Sequence, residues 1–88
     1  MIQVYYITGL AASGKTTLSQ RMGADYVIES TSIVSTIGEL HWTMMNCDPN
    51  SVITVESTSY NIEDISLIRD LVEECNAEAS LRIVRLSK

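Results

Sequence analysis

The stretch Gly9-Leu10-Ala11-Ala12-Ser13-Gly14-Lys15-Thr16 decides the fold of this 88-residue chain. It fits G-x-x-x-x-G-K-[ST] at every fixed position. In this pattern the glycines let the backbone fold around an anion, and the loop N–H groups supply partial positive charge. The lysine reaches terminal phosphates and the hydroxyl ligates magnesium. The stretch therefore predicts a phosphate-binding loop in which Lys15 contacts phosphate and Thr16 ligates Mg²⁺.

The sequence on either side of this stretch agrees with that prediction. Residues 2–8 are rich in β-branched and aromatic side chains and predict a buried strand, and residues 14–22 predict a helix that ends at Gly23. The alternative is that the glycines only make a turn and that Lys15 is an ordinary surface lysine. We expect the ligand-binding residues to be Gly9, Ala11, Ala12, Ser13, Gly14, Lys15, Thr16 and Thr17.

Strand-like and helix-like segments alternate along the rest of the chain. Apolar runs without polar alternation predict strands, and apolar residues at helical spacing predict helices. Further strands are expected at 26–29, 51–56 and 81–86, and further helices at 32–47 and 62–75, the last capped by Asn61. The order predicts one α/β domain over residues 1–88, a three-layer sandwich with a four-stranded parallel sheet and helices on both faces.

The apolar stripes of the helices predict which residues form the core. On the second helix these are Ile33, Ile37, Leu40 and Met44, and on the third Ile62, Ile65, Ile68, Leu71, Val72 and Cys75. Trp42, Met44 and Met45 form an apolar cluster that we expect in the core, with a partner surface as the alternative. His41, beside this cluster, is expected to be a packed or rim histidine.

Composition excludes several classes of function. Eleven acids against six bases give a net charge of −5, which argues against broad nucleic-acid binding, although a 5′-end acceptor stays allowed. Cys47 and Cys75 lie 28 positions apart and predict reduced, buried thiols rather than a disulfide framework or a zinc site. No signal peptide or membrane-spanning stretch is visible, so we expect a cytoplasmic protein.

With residues 4–17 in place, the chain resembles a P-loop kinase. The remainder resembles the kinase part of bacteriophage polynucleotide-kinase-like (zeta-toxin-like) proteins, in residues 25–31 and 52–58. The resemblance implies a P-loop NTPase core of the kinase type, binding ATP or GTP with magnesium. It covers nearly the whole chain, which stops where such kinases continue into an arginine-bearing lid.

The resemblance also points to two acidic residues beside Lys15 as catalytic candidates. Relatives carry an aspartate base after the second strand and then an arginine, whereas here Thr31, Ser32 and Val34 stand at those positions. Glu29 is the nearest carboxylate, either a base or a solvated strand-end acid. Glu56 ends the third strand, where a metal-organising acid is expected, although Ser57 aligns better. It is read as a ligand of magnesium through water, with a structural cap as the alternative.

Two functions follow from this pattern. The first is a kinase-like nucleotide-binding protein with reduced or absent phosphotransfer. In this protein the binding of ATP would control the formation of a homodimer or of a complex with another protein. The second is an active phosphotransferase on a nucleoside, a nucleotide or a 5′-polynucleotide, or an NTPase. Because base, acceptor arginine and lid are missing together, the first is preferred. Arg82 and Arg85 either act across a dimer interface or are solvated strand-end residues.

Overall fold

Four strands and three helices alternate along the chain in the computed structural model, which describes residues 1–9, 14–30, 32–58 and 60–86. The elements are β1 (Gln3–Thr8), α1 (Lys15–Arg21), β2 (Tyr26–Glu29), α2 (Ile33–Asn46), β3 (Val52–Ser57), α3 (Ile62–Cys75) and β4 (Ser80–Arg85). Each one falls within two residues of its predicted bounds. The predicted α/β architecture is thus confirmed at the level of its elements.

The strands form one sheet in the order β2-β3-β1-β4, with every neighbouring pair parallel. Val4 lies opposite Ile53 and Ile7 opposite Glu56, so β1 and β3 run side by side through the centre. On the other side of β1, Thr8 lies opposite Arg85. The carboxyl ends of all four strands therefore meet at one edge of the sheet.

The two faces of the sheet carry different helices. Helices α2 and α3 contact each other and cover one face. The connection from β1 to β2 runs along the sheet in the opposite direction to the later two, so right-handed crossovers place α1 on the other face. The main core lies under α2 and α3 and contains Ile2, Val4, Tyr6, Ile28, Leu40, Met44, Ile53, Val55, Ile65, Ile68 and Val72.

Local side-chain and backbone chemistry fixes the helix ends. The Ser32 hydroxyl accepts a hydrogen bond from Ser35 N at 3.2 Å and caps α2. The predicted cap of α3 is confirmed, since Asn61 Oδ1 accepts from the N–H of Glu63 at 2.9 Å. After α1, Gly23 adopts φ +69°, a left-handed conformation that glycine takes at little cost.

The expected core cluster on α2 is wrong for two of its three residues. Met44 is buried, but Trp42 and Met45 are each 65% exposed. An α-helix turns by about 100° per residue, so Trp42 points about 200° away from the buried Leu40. Ile62, also expected in the core, is exposed because it is the first residue of α3 and precedes the part of the helix that packs on the sheet.

Both cysteines are free, as predicted, but they are half-buried at the margin of the core rather than fully buried. None of the helices within the described ranges is long and apolar enough to cross a membrane.

Candidate functional site

Backbone hydrogen bonds hold the carboxyl ends of the four strands together. Gly9 N donates to Ser57 O at 3.2 Å, and Ser30 N donates to Glu56 O at 2.7 Å. Leu86 N donates to Thr8 O at 2.8 Å, which attaches the end of β4 to the end of β1. In open parallel sheets, ligands bind outside this edge. The predicted phosphate-binding stretch starts there, directly after β1.

The far end of that stretch is the start of α1. Gly14 is the N-cap residue with φ +93°, and its carbonyl accepts from Leu18 N at 2.9 Å. A Cβ at Gly14 would meet nothing within 4 Å, so the position requires glycine for its left-handed backbone rather than for space.

The remaining predicted loop residues differ in how far they are described. Ala11, Ala12 and Ser13 lie outside the described residues, as does Leu10. Lys15 and Thr16 are described by their backbone, which forms the first two positions of α1. Thr17 follows them as an exposed residue in the same turn.

Glu56 is the predicted acid whose side chain contacts α1. The residue is 7% exposed, and its Oε2 accepts a 2.8 Å hydrogen bond from Ser19 Oγ. Ser19 is fully buried and lies three residues after Thr16, so it occupies the same side of α1 one turn further on. The bond ties the end of β3 to α1. In the sequence, this spacing of three is the one signal that marks Ser19.

The second predicted acid lies beside the first. Glu29 is the last residue of β2 and is the Cα partner of Glu56 across the parallel pair. Partners in register project to the same face of a sheet, so both carboxylates lie on the α1 face. Glu29 is exposed whereas Glu56 is buried.

Two acids alone do not form a protein-built metal cage. Among the described residues there is no group of three or more His, Cys, Asp or Glu side chains arranged to hold a metal ion. A metal at this edge would take its remaining ligands from water or from a bound phosphate, which is the usual arrangement for Mg²⁺.

Both arginines of β4 are exposed, Arg82 within the strand and Arg85 at its end, and both of the alternatives for them require this exposure. The guanidinium of Arg85 lies 4.1 Å from the ring centre of Tyr60, a cation–π contact that holds it beside the end of β1. Tyr60 was not singled out from the sequence. His41 is exposed on α2, so it is not packed in the core.

Two further groups, one buried and one half-buried, affect stability more than the site. Thr54 Oγ1 is buried and has no hydrogen-bond partner among the residues that the structure describes. Burial, followed by the nearby charge of Glu74, raises the pKa of the Cys75 thiol above its ordinary value.

Comparison of the chain with protein-family models, with curated proteins and with solved structures found no match. What the protein does must therefore be argued from its own residues and their placement.

Proposed function

We propose that this protein binds a nucleoside triphosphate, ATP or GTP, together with Mg²⁺ at the carboxyl edge of its sheet. The observation that carries the proposal is the position of the motif: it starts at Gly9, directly after the central strand β1, and ends with Lys15 and Thr16, the first two residues of α1. This is the strand-to-helix context in which the pattern binds phosphates. The adjoining strand β3 brings an acid, Glu56, to the same edge.

The described residues fit such a ligand. Gly14 already has the left-handed backbone that lets successive N–H groups turn toward an anion. In the proposed complex, Lys15 contacts the terminal phosphates, Thr16 ligates magnesium and Glu56 holds a magnesium-bound water. Bound Mg²⁺ would neutralise charge on the phosphate oxygens.

Phosphoryl transfer in this proposal is reduced or absent. A general base must lie within hydrogen-bond reach of the acceptor proton. Thr31 and Ser32 stand where the kinases that the sequence resembles carry an aspartate, and the Glu56 carboxylate accepts a hydrogen bond from Ser19 inside the protein. We therefore propose that nucleotide binding acts on a protein partner or on self-association, so that the chain is a kinase-like binding protein.

One observation favours the alternative, an active phosphotransferase or NTPase. Glu29 is exposed and in register with Glu56, so a solvent-accessible carboxylate lies next to the proposed metal-organising acid. In that alternative Glu29 is the base for an acceptor hydroxyl or for water. A nucleoside, a nucleotide or the 5′ end of a polynucleotide would then be the acceptor.

Calorimetric titration with ATP and with GTP, each with and without Mg²⁺, tests the binding proposal. We expect Lys15→Ala to weaken binding at least about tenfold, because one charge-assisted contact to phosphate is lost. Arg21→Ala is the matched control, since Arg21 is a base in the last turn of the same helix. Equal affinity in the Lys15→Ala and unmodified proteins would contradict the proposal.

A second experiment separates the two functions. The protein is incubated with γ-labelled ATP and a nucleoside, a nucleotide or a 5′-hydroxyl oligonucleotide, and labelled product is counted. Tight ATP binding without product supports the binding protein. Product formation that Glu29→Gln abolishes, and that Glu73→Gln on the exposed side of α3 leaves intact, supports the enzyme. Light scattering with and without ATP reports whether the nucleotide changes the self-association.

A further inference from the structure

A groove runs between the edge strand β2 and helix α2, on the part of the sheet covered by α2. Its volume is about 380 Å³. The lining includes Tyr26, Val27, Gly38, Glu39, Trp42 and Thr43. Trp42 is 65% exposed and Tyr26, which lies on the α2 face of β2, is 37% exposed, so large aromatic side chains face solvent at the groove. Clustered exposure of this kind marks interaction sites more often than single exposed residues do.

Gly38 indicates that the groove has a function. A glycine in a helix interior destabilises the helix relative to alanine. Neither of the usual structural reasons applies here, because a Cβ at Gly38 would meet nothing within 4 Å and the residue has no positive φ. Because glycine has no side chain, it leaves space in the groove at this position, one helical turn from Trp42. Local departures from a good sequence are expected where a site needs them.

The charged residue in the groove indicates whether its ligand is a cation or an anion. Among the described residues that line it, Glu39 is charged and none is basic. Glu39 and Trp42 are three residues apart on α2 and are therefore neighbours on its surface. A carboxylate next to the face of an exposed indole is a favourable site for an organic cation, which the ring attracts through its quadrupole.

The neighbouring strand β2 indicates that the ligand is an extended peptide. β2 is at the end of the strand order and pairs with β3 on one side, while its other side carries no strand in the described sheet. The free N–H and C=O groups of such an edge accept an extended peptide as an additional strand.

We propose that the groove binds an extended segment of a partner protein that carries a lysine or an arginine. The segment's backbone adds to the outer edge of β2, and its cationic side chain lies over Trp42 beside Glu39. A second copy of this chain is a poorer occupant. Two β2 edges brought together about a twofold axis would place the acidic Asp25 and Glu29 of both copies against each other. The proposal does not depend on nucleotide binding.

Trp42 is the one tryptophan in the chain, so its fluorescence reports on the groove directly. The probe is an acetylated eight-residue peptide of alternating lysine and valine, titrated at physiological salt. A glutamate–valine peptide tests charge, and a lysine–valine peptide with alternate backbone nitrogens methylated tests strand addition. We expect saturable binding of the first peptide and at least about tenfold weaker binding of the other two.

Variants distinguish the groove from non-specific attraction to an acidic protein. Glu39→Gln should weaken the binding of the lysine peptide about tenfold. Glu73→Gln, which changes an exposed glutamate on α3, should leave that binding unchanged. Gly38→Ala should raise the melting temperature and still weaken the binding of the lysine peptide, a combination that misfolding cannot produce.

Several outcomes overturn the proposal. They are equal binding of the lysine and glutamate peptides, equal weakening by Glu39→Gln and Glu73→Gln, and full affinity in Gly38→Ala. Binding of butylammonium as tight as that of the peptide would also overturn it, in favour of a free small cation. Sedimentation that shows self-association of the unmodified protein, lost in Trp42→Ala, would assign the groove to a second copy instead.

Discussion

Ser19→Ala is the substitution that most directly tests how α1 is attached to the sheet. The Ser19 hydroxyl is fully buried and donates to Glu56 Oε2 at 2.8 Å. α1 has seven residues, too few to be stable without tertiary contacts. Removing the hydroxyl leaves the carboxylate of Glu56, a buried residue, with one hydrogen bond fewer. We expect the folded state to lose stability because that charge is then less well solvated by the protein.

The size of the loss follows from the type of bond. A hydrogen bond to a charged group contributes about 1.5–3 kcal/mol to the free energy of unfolding. Alanine has a slightly higher helix propensity than serine, which returns up to about 0.5 kcal/mol. The expected net loss is therefore about 1–2.5 kcal/mol. In a domain of this size, each kcal/mol lowers the melting temperature by about 4–8 °C.

The measurement is urea unfolding followed by Trp42 fluorescence, with circular dichroism as a second probe. Ser66→Ala is the matched control, because Ser66 is an exposed serine within α3 and the same propensity gain applies. The difference between the two variants isolates the buried bond. A difference below about 0.5 kcal/mol would refute the reasoning, because it would place Ser19→Ala within the range of ordinary surface substitutions.

Three other substitutions or reactions have defined outcomes. Thr54→Val should raise the melting temperature by several degrees, because a methyl group replaces a buried hydroxyl that lacks a partner among the described residues. A lower melting temperature in the variant would contradict this. Asn61→Ala should cost about 1 kcal/mol in urea unfolding and Asn61→Asp much less, since aspartate also caps helices. The raised pKa of Cys75 keeps its thiol protonated, so iodoacetamide should alkylate it more slowly at pH 8 than in the urea-unfolded chain. For the same reason stability should fall as pH rises above the ordinary thiol pKa, because the unfolded state loses its proton first.

The elements of the fold could be predicted from the sequence because their signals are local. Strand runs, helical spacing and the Asn61 cap each depend on a few neighbouring residues. The ends were less exact, as for β4, which was predicted over 81–86 and occupies Ser80–Arg85. A strand ends where its partner stops pairing, and the partner of β4 is β1, far away in the chain. Strand order has the same non-local origin.

Exposure was harder to predict than helicity. Trp42 and Met45 are apolar residues of an amphipathic helix, and composition alone favours the core for both. Their exposure depends on which side of α2 meets the sheet, and the stripe through Thr36, Leu40 and Thr43 takes that side. Two threonines in the buried stripe concealed it, because a hydropathy pattern counts them as polar.

Some features of the candidate site could be predicted from the sequence, and others depend on the tertiary structure. The proposed phosphate-binding pattern and the acid next to the end of β3 could be picked out from the sequence, since each is a residue type at a fixed place relative to an element. The Ser19–Glu56 bond and the register of Glu29 with Glu56 could not. Both result from how α1 crosses the sheet and from which strands are neighbours, and no local spacing records either.

The geometry of Glu56 also changes how its two predicted roles relate. From the sequence, a structural cap and a magnesium-organising acid are alternatives. In the structure the Ser19 bond fixes the orientation of the carboxylate toward α1, the helix that begins at Lys15. A carboxylate fixed before binding loses less conformational entropy when a cation arrives, which strengthens binding. The structural bond is therefore compatible with the proposed metal role, and the acid would meet a metal at the proposed phosphate-binding stretch already oriented.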